Sequence, residues 1–329
     1  MDYTQLGRSG LTVSRLVLGT MNFGPHTDEP TSHAIMDAAL DAGVNFFDTA
    51  NVYGWGAAKG RTEEIIGNWF AKDASRRDKV VLATKAYGHM EAAERPWPNH
   101  DRLSALNIRR SAEASLKRLQ TDHIDLYQFH HIDRRTPFEE IWQAIDVLIQ
   151  QGKILYAGSS NFPGYTIAQA NEAAGRRGLL GLVSEQCLYN LAERRAEMEV
   201  IPAAQAYGLG IIPWSPLHGG LLGGVLKGRS GAARRATGRV PEALADASVR
   251  ARVQEYEDLL DRHGLAPAEV ALAWLLTRPE VTGPIIGPRT PEQLTGALRA
   301  LELDLDPELI ASLEELFPGP GPAPEAFAW

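Results

Sequence analysis

Eight short apolar runs, alternating with longer helical patterns, decide what this chain can fold into. They span 16–19, 44–48, 80–84, 124–129, 154–158, 182–186, 210–214 and 283–287. Most are apolar on both faces, as strands buried between two layers must be. Helical patterns separate them at 31–42, 62–71, 103–119, 137–151, 165–174, 198–207 and 249–263, with 267–277 following. Strand–helix alternation of this kind builds a parallel sheet. Eight such units close into a (β/α)8 barrel more readily than they spread into an open sheet. A doubly wound sheet is the alternative, but no Gly-x-Gly-x-x-Gly follows an early run, which removes its usual dinucleotide signature.

The pattern over 137–151 shows how the helices are read. Phe138, Ile141, Ile145, Leu148 and Ile149 recur at spacings of three and four and make one apolar stripe. Thr136 is expected to cap its start, with Pro137 at the first helical position and Gly152 past its end. At the N-terminus, 3–15 reads as a hairpin turning at Arg8-Ser9-Gly10 and plugging the bottom of the barrel. The stretch 208–231 contains a long Gly-rich loop after the seventh run. We expect one domain over 1–317 and an extended Pro/Gly-rich tail over 318–329.

Composition removes several classes of function. The formal net charge is −8, and Lys and Arg are scattered among Asp and Glu. That argues against a nucleic-acid surface, which carries a basic stripe. The Arg234-Arg235 pair lies in a Gly/Ala-rich segment and reads as a solvated loop. The single cysteine, Cys187, rules out an intrachain disulfide and fits a reducing compartment. No leader pattern opens the chain and no apolar stretch reaches the length of a membrane span, so the expected location is the cytoplasm. The spacing offers no metal constellation, since adjacent His130 and His131 chelate poorly.

In a barrel of this kind, chemistry collects at the C-terminal ends of strands. Asp48 ends the second run, in FFDTANVYGWG, and Tyr53 follows in its loop. Lys85 ends the third, in VVLATKAYG, and His130 the fourth, in DLYQFHHID. Each has a structural reading taken alone: Asp48 as a turn or cap residue, His130 as a satisfied core histidine. Lys85 is odder, because a charge beside a buried strand needs a partner. Together the four make a proton-donating site. A nearby ammonium favours phenolate, so Lys85 is expected to lower the Tyr53 pKa from near 10 and make it a general acid. Asp48 would hold Lys85 by a salt bridge, and His130 would orient a substrate oxygen.

The segments DTANVYG, ATKAYG, LYQFHHID and GSSNF resemble the signature segments of the aldo-keto reductase superfamily, in order and spacing, from Tyr3 to about Leu301. The resemblance implies a (β/α)8 barrel that binds NADPH without a Rossmann domain and reduces carbonyls by hydride transfer. It implies a catalytic tetrad of Asp48, Tyr53, Lys85 and His130. It also implies that Ser160, Asn161 and Gln186 bind the nicotinamide carboxamide and that Trp214 stacks on the nicotinamide ring. Ser215, Pro216, Leu217, Gly219 and Leu221 would wrap the pyrophosphate, with Gly19, Thr20 and Met21 from the first loop. Ile286, Gly287, Arg289 and Gln293 would hold the adenosine end. Arg289, before a helix N-terminus, is placed to grip a 2′-phosphate, which favours NADPH over NADH.

Two departures weaken that cofactor expectation: Ala297 stands where many relatives carry an Asn that contacts adenine, and Pro288 lacks a donor. Relatives that reduce a carbon–carbon double bond can replace the histidine with a carboxylic acid, so His130 favours carbonyl reduction. Phe23, Trp55, Trp97 and His131, with Met21 and the terminal Trp329, are expected to line the substrate pocket. Trp97 lies in an insertion over 86–101 that reads as a lid. The expected partner is a small-molecule carbonyl, and a homo-oligomer is compatible with the sequence. Two other readings stay open. One is a nicotinamide-binding regulatory subunit resembling the potassium-channel β subunits. The other is reduction of a nucleotide-sugar intermediate in deoxysugar biosynthesis.

Overall fold

A computed structural model describes residues 1–91, 96–228 and 239–328. Arg234, Arg235, Trp329, the end of the Gly-rich loop and part of the 86–101 insertion lie outside the described residues. Among the described residues ten strands are formed. β1 (Tyr3–Gln5) and β2 (Thr12–Ser14) make an antiparallel hairpin. The other eight are parallel: β3 (Val17–Gly19), β4 (Phe46–Asp48), β5 (Val81–Ala86), β6 (Ile124–Phe129), β7 (Ile154–Ser160), β8 (Leu182–Gln186), β9 (Gly210–Ile211) and β10 (Ile285–Ile286). Their order is β10-β3-β4-β5-β6-β7-β8-β9, so neighbours in space are neighbours in sequence. The ring closes between its two ends. Thr282 N–H donates to Ile211 O at 2.8 Å and Ile285 N–H to Pro213 O at 2.9 Å. This is the (β/α)8 barrel that the alternation predicts.

The hairpin plugs the N-terminal end as expected. Leu6 and Val13 pack with the inward residues Val17, Phe46, Val81, Ala83, Leu126, Val183 and Ile212. Gly7 makes the close approach possible, since a Cβ there would meet Val183 O at 2.4 Å with φ at +55°. The larger core lies between the barrel and its helices, where Trp69, Trp142 and Trp274 are fully buried. Six helices lead this layer: α1 (Glu29–Asp41), α2 (Arg61–Lys72), α3 (Ala105–Leu119), α4 (Phe138–Gln150), α5 (Gly164–Gly175) and α6 (Val200–Tyr207). Among the described residues no helix is long and apolar enough to cross a membrane.

One cap differs from expectation. Pro137, not Thr136, occupies the N-cap of α4 and makes no side-chain cap bond. Thr136 Oγ1 instead donates to Asp133 Oδ2 at 2.8 Å. A carboxylate, which also accepts from Arg135 N–H, outcompetes the helix terminus for that hydroxyl.

Register carries one feature that matters for the site. β7 and β8 slip by one residue: Ala157 pairs with Leu182, but Ser159 pairs with Glu185. β8 therefore holds a bulge, which re-aims the side chains after it. Val183 and Gln186 both face the barrel interior although three positions apart, and Glu185 faces the surrounding layer.

The tail after Phe317 lies along the loop that follows β8. Arg194 Nη1 donates to Phe317 O at 3.1 Å, and Ala323 N–H to Met198 O at 3.0 Å.

Candidate active site

The C-terminal ends of β4, β5, β6 and β8 meet inside one mouth. Lys85 is fully buried, Asp48 is 3% exposed and Tyr53 8%. A buried ammonium needs every proton satisfied. Lys85 Nζ has three acceptors within reach: Asp48 Oδ2 at 2.6 Å, Thr49 O at 2.8 Å and Tyr53 OH at 3.3 Å. Because the Tyr53 oxygen accepts from Lys85, its own proton is left to point toward the mouth.

Asp48 is held on its other side too. Gln128 Nε2 and Gln186 Nε2 both donate to Asp48 Oδ1 at 2.9 Å, and Gln186 Nε2 also reaches Gln128 Oε1 at 3.2 Å. Thr20 fastens the backbone: its N–H and hydroxyl both donate to Asp48 O, at 3.0 and 2.9 Å.

The Tyr53 loop depends on Gly54. Its φ is +114°, and an added Cβ would stand 1.9 Å from Ala58 O. That glycine lets the chain turn tightly enough to return Tyr53 over Lys85.

Electrostatics differ in part from expectation. Burial opposes the Lys85 charge, but Asp48 and Tyr53 outweigh it and hold the ammonium above its ordinary value. Burial raises the Tyr53 phenol, Lys85 opposes that rise and Asp48 adds to it, and the net direction is upward. The expected net lowering of Tyr53 is thus corrected, because desolvation penalises phenolate more than one paired ammonium relieves it. Tyr53 stays protonated near neutral pH, the form that can donate. Burial, then Lys85, then His131, push His130 well below the usual imidazole range, so it is neutral.

Rings line the mouth around these groups. Trp55 lies 5.7 Å from Tyr53, centroid to centroid, and His130 meets Tyr53 edge-on at 6.0 Å. His131 stacks on His130 at 5.0 Å and meets Tyr87 at 5.4 Å. Trp55, Trp97 and Met21 are exposed, at 49%, 70% and 48%. Phe23 is a correction: it is fully buried in the layer between barrel and helices, where it packs with the core and leaves no surface for a ligand.

Several residues expected at a cofactor are spoken for by the fold. Gln186 spends its amide nitrogen on Asp48 and Gln128, which leaves its carbonyl oxygen. Thr20, fully buried, spends its hydroxyl on Asp48, which corrects its assignment to the cofactor. The Leu221 side chain packs with Val225, Val240 and Val253 in a small separate cluster. Asn161 holds a left-handed φ of +58°. Its Nδ2 donates to Ser160 Oγ at 3.0 Å, and its Oδ1 accepts from Trp214 Nε1 at 3.0 Å, which fixes the indole. Ser215 Oγ accepts from Gly219 N–H at 2.9 Å and shapes the following loop, along which Pro216 and Leu217 run.

The donor set suits an anionic dinucleotide. Arg289 Nε is buried without a hydrogen-bond partner among the described residues. It stands just before the nine-residue helix Pro291–Arg299, whose N-terminus Thr290 caps. Gln293 Oε1 accepts from Arg289 N–H at 2.8 Å and Asn22 Nδ2 donates to Gly287 O at 2.8 Å, so this corner is pinned to the first loop. At Gly219, φ +68°, an added Cβ would project into open space. Gly19 and Ile286 are packing elements here: a Cβ on Gly19 would strike Ile285 Cγ2 at 2.4 Å, and Ile286 is buried.

Sequence reasoning missed Gln128, Thr49 and Tyr87. Only Gln128 carried a legible signal, a polar residue in a buried run two positions before His130.

The sequence profile of the Aldo/keto reductase family matches residues 15–317. The chain is 54% identical to an uncharacterized oxidoreductase, YrpG, of Bacillus subtilis, with both proteins covered over 100% of their length. It is 34% identical to a probable voltage-gated potassium channel subunit beta of Oryza sativa, covering 95% of this chain and 96% of that protein. It is 33% identical to versiconal hemiacetal acetate reductase of Aspergillus parasiticus, covering 96% of each.

Proposed function

The chain belongs to the aldo/keto reductase family of oxidoreductases, and from that premise we propose that it reduces aldehyde or ketone carbonyls with NADPH, using Tyr53 as the general acid. The observation that carries this reading is the saturated Lys85: three protons on three acceptors, one of them the Tyr53 oxygen. Trp214, with Ser160, Asn161 and the Gln186 carbonyl, would hold a reduced nicotinamide, and the chemistry that group would supply is hydride for the carbonyl carbon. The chain's own residues do the rest. Tyr53 O–H donates to the carbonyl oxygen as negative charge builds there. The neutral His130 imidazole donates a second hydrogen bond to that oxygen and orients it. Lys85 stabilises the phenolate left on Tyr53, and Asp48, held by Gln128 and Gln186, keeps Lys85 charged and in place.

Trp214 is pinned by Asn161 for stacking, and Ser160, Asn161 and the Gln186 carbonyl offer polar atoms to a carboxamide. Arg289 would take the 2′-phosphate. Trp55, His131 and Tyr87, with Trp97 and Met21, would contact the substrate.

Steady-state oxidation of NADPH in the presence of a panel of aldehydes and ketones tests the proposal, with the alcohol product identified. Repeated turnover with equimolar alcohol is expected. The likeness to a potassium-channel β subunit favours a second reading, a cofactor-binding regulatory protein. It predicts NADPH binding with less than one turnover on every carbonyl.

A further inference from the structure

Glu185 is a buried carboxyl that the mechanism above does not use. The bulge in β8 turns it away from the barrel interior. Its Oε1 accepts from Phe162 N–H at 3.0 Å, and its Oε2 lies 2.5 Å from Ser159 Oγ. Ser159 Oγ is also 3.3 Å from Ser184 O. One hydroxyl proton cannot serve both oxygens. The count closes when Glu185 is neutral: its O–H donates to Ser159 Oγ, and Ser159 O–H donates to Ser184 O. Burial pushes the Glu185 carboxyl up to about 8, in the same direction.

The N–H that Glu185 holds belongs to the residue after Asn161. Asn161 is a non-glycine residue in the left-handed region, a conformation that persists where neighbours fix it. Two consecutive residues of β8 do so. Gln186 O accepts Asn161 N–H at 3.0 Å, and Glu185 accepts the next N–H along. The turn is thus gripped on both sides of the strained residue.

We propose that neutral Glu185 is a positioning residue: it acts through the Ser160–Asn161 turn to fix the polar edge that meets the nicotinamide carboxamide, and so sets affinity for that half of the cofactor. This rests on the proposed use of NADPH. Gln is the conservative replacement, since a carboxamide accepts from Phe162 N–H and donates to Ser159 Oγ as the neutral acid does. Leu keeps the volume and removes both bonds.

Dissociation constants for NADPH and for 2′,5′-ADP, which lacks the nicotinamide, are measured by fluorescence for wild type, Glu185→Gln and Glu185→Leu. Glu185→Leu is expected to weaken NADPH by about tenfold or more, the size of one buried hydrogen bond left unmade, with 2′,5′-ADP within about threefold. Glu185→Gln is expected to stay within about threefold for both. Ser159→Ala, which empties little volume, shows the same split at roughly two- to fivefold if Glu185→Leu does not fold. Equal losses for both ligands, no loss for NADPH, or failure of Glu185→Gln to restore binding would overturn the proposal. Wild type that binds neither ligand would instead refute the use of NADPH, and the proposal with it.

Discussion

Removing either half of the Lys85–Asp48 pair perturbs the site at its most desolvated point. The pair is separated by 2.6 Å, with side chains 0% and 4% exposed. Breaking a buried pair by deleting one partner costs about 3–5 kcal/mol, because an uncompensated charge stays behind. The two halves should differ. Lys85→Met leaves Asp48 with two amide donors, from Gln128 and Gln186, so its cost belongs near about 3 kcal/mol. Asp48→Asn leaves an ammonium with neutral acceptors alone, Thr49 O, Tyr53 OH and the new carboxamide oxygen, so its cost belongs at the upper end, about 5 kcal/mol. Asp48→Asn/Lys85→Met removes both charges and should cost only about 2–3 kcal/mol, giving a coupling of several kcal/mol. Denaturant unfolding of the four proteins, followed by fluorescence and circular dichroism, measures this cycle. A coupling below about 0.5 kcal/mol, the level at which distant sites add, would refute the claim that these groups meet as a desolvated ion pair.

Other outcomes follow from the same geometry. The Glu185 carboxyl moves from its ordinary 4.5 up to about 8 in the folded protein, so the native state holds the extra proton across that window. Stability conferred by the neutral form is then lost as pH rises from about 5 to 8, by at most about 1.4 kcal/mol per pH unit, and Glu185→Gln should flatten that slope in unfolding measured against pH. Arg289→Ala should raise the KM for NADPH by about tenfold or more and leave that for NADH nearly unchanged, read from initial rates with each cofactor. Gly54→Ala should displace Tyr53 and lower kcat by about tenfold or more with cofactor affinity intact, since φ +114° and a 1.9 Å clash leave no room for a Cβ.

The barrel and most of the candidate site are legible in the sequence for one reason. Parallel strands buried on both faces read as apolar runs, and an ionisable residue at such a run's end stands out against them. That is why Asp48, Lys85 and His130 are visible, and why Tyr53 is visible with its glycine turn. What is hidden depends on register and packing. The bulge in β8 sends Gln186 inward and Glu185 outward, and no local pattern in VSEQC announces it. Gln128 is a polar residue in a buried run, but its partnership with Asp48 reaches over the intervening strand β5 and appears only once the strands are curled. Phe23 has the composition of a pocket residue and the burial of a core one. The direction of the Tyr53 phenol is not legible, because proximity to Lys85 can be read from strand ends, whereas the larger effect, desolvation, depends on how deeply the mouth is packed.

The central claim is that Tyr53 donates the proton in carbonyl reduction, and rapid mixing tests it most directly. Wild type and Tyr53→Phe, each loaded with NADPH, are mixed with a reactive aromatic aldehyde, and cofactor oxidation is followed through one turnover. Tyr53→Phe is expected to bind NADPH as wild type does and to oxidise it about 10²–10⁴ times more slowly, the usual worth of a positioned general acid. Oxidation by Tyr53→Phe within about threefold of the wild-type rate would contradict it, and the acid would have to be sought elsewhere in the mouth.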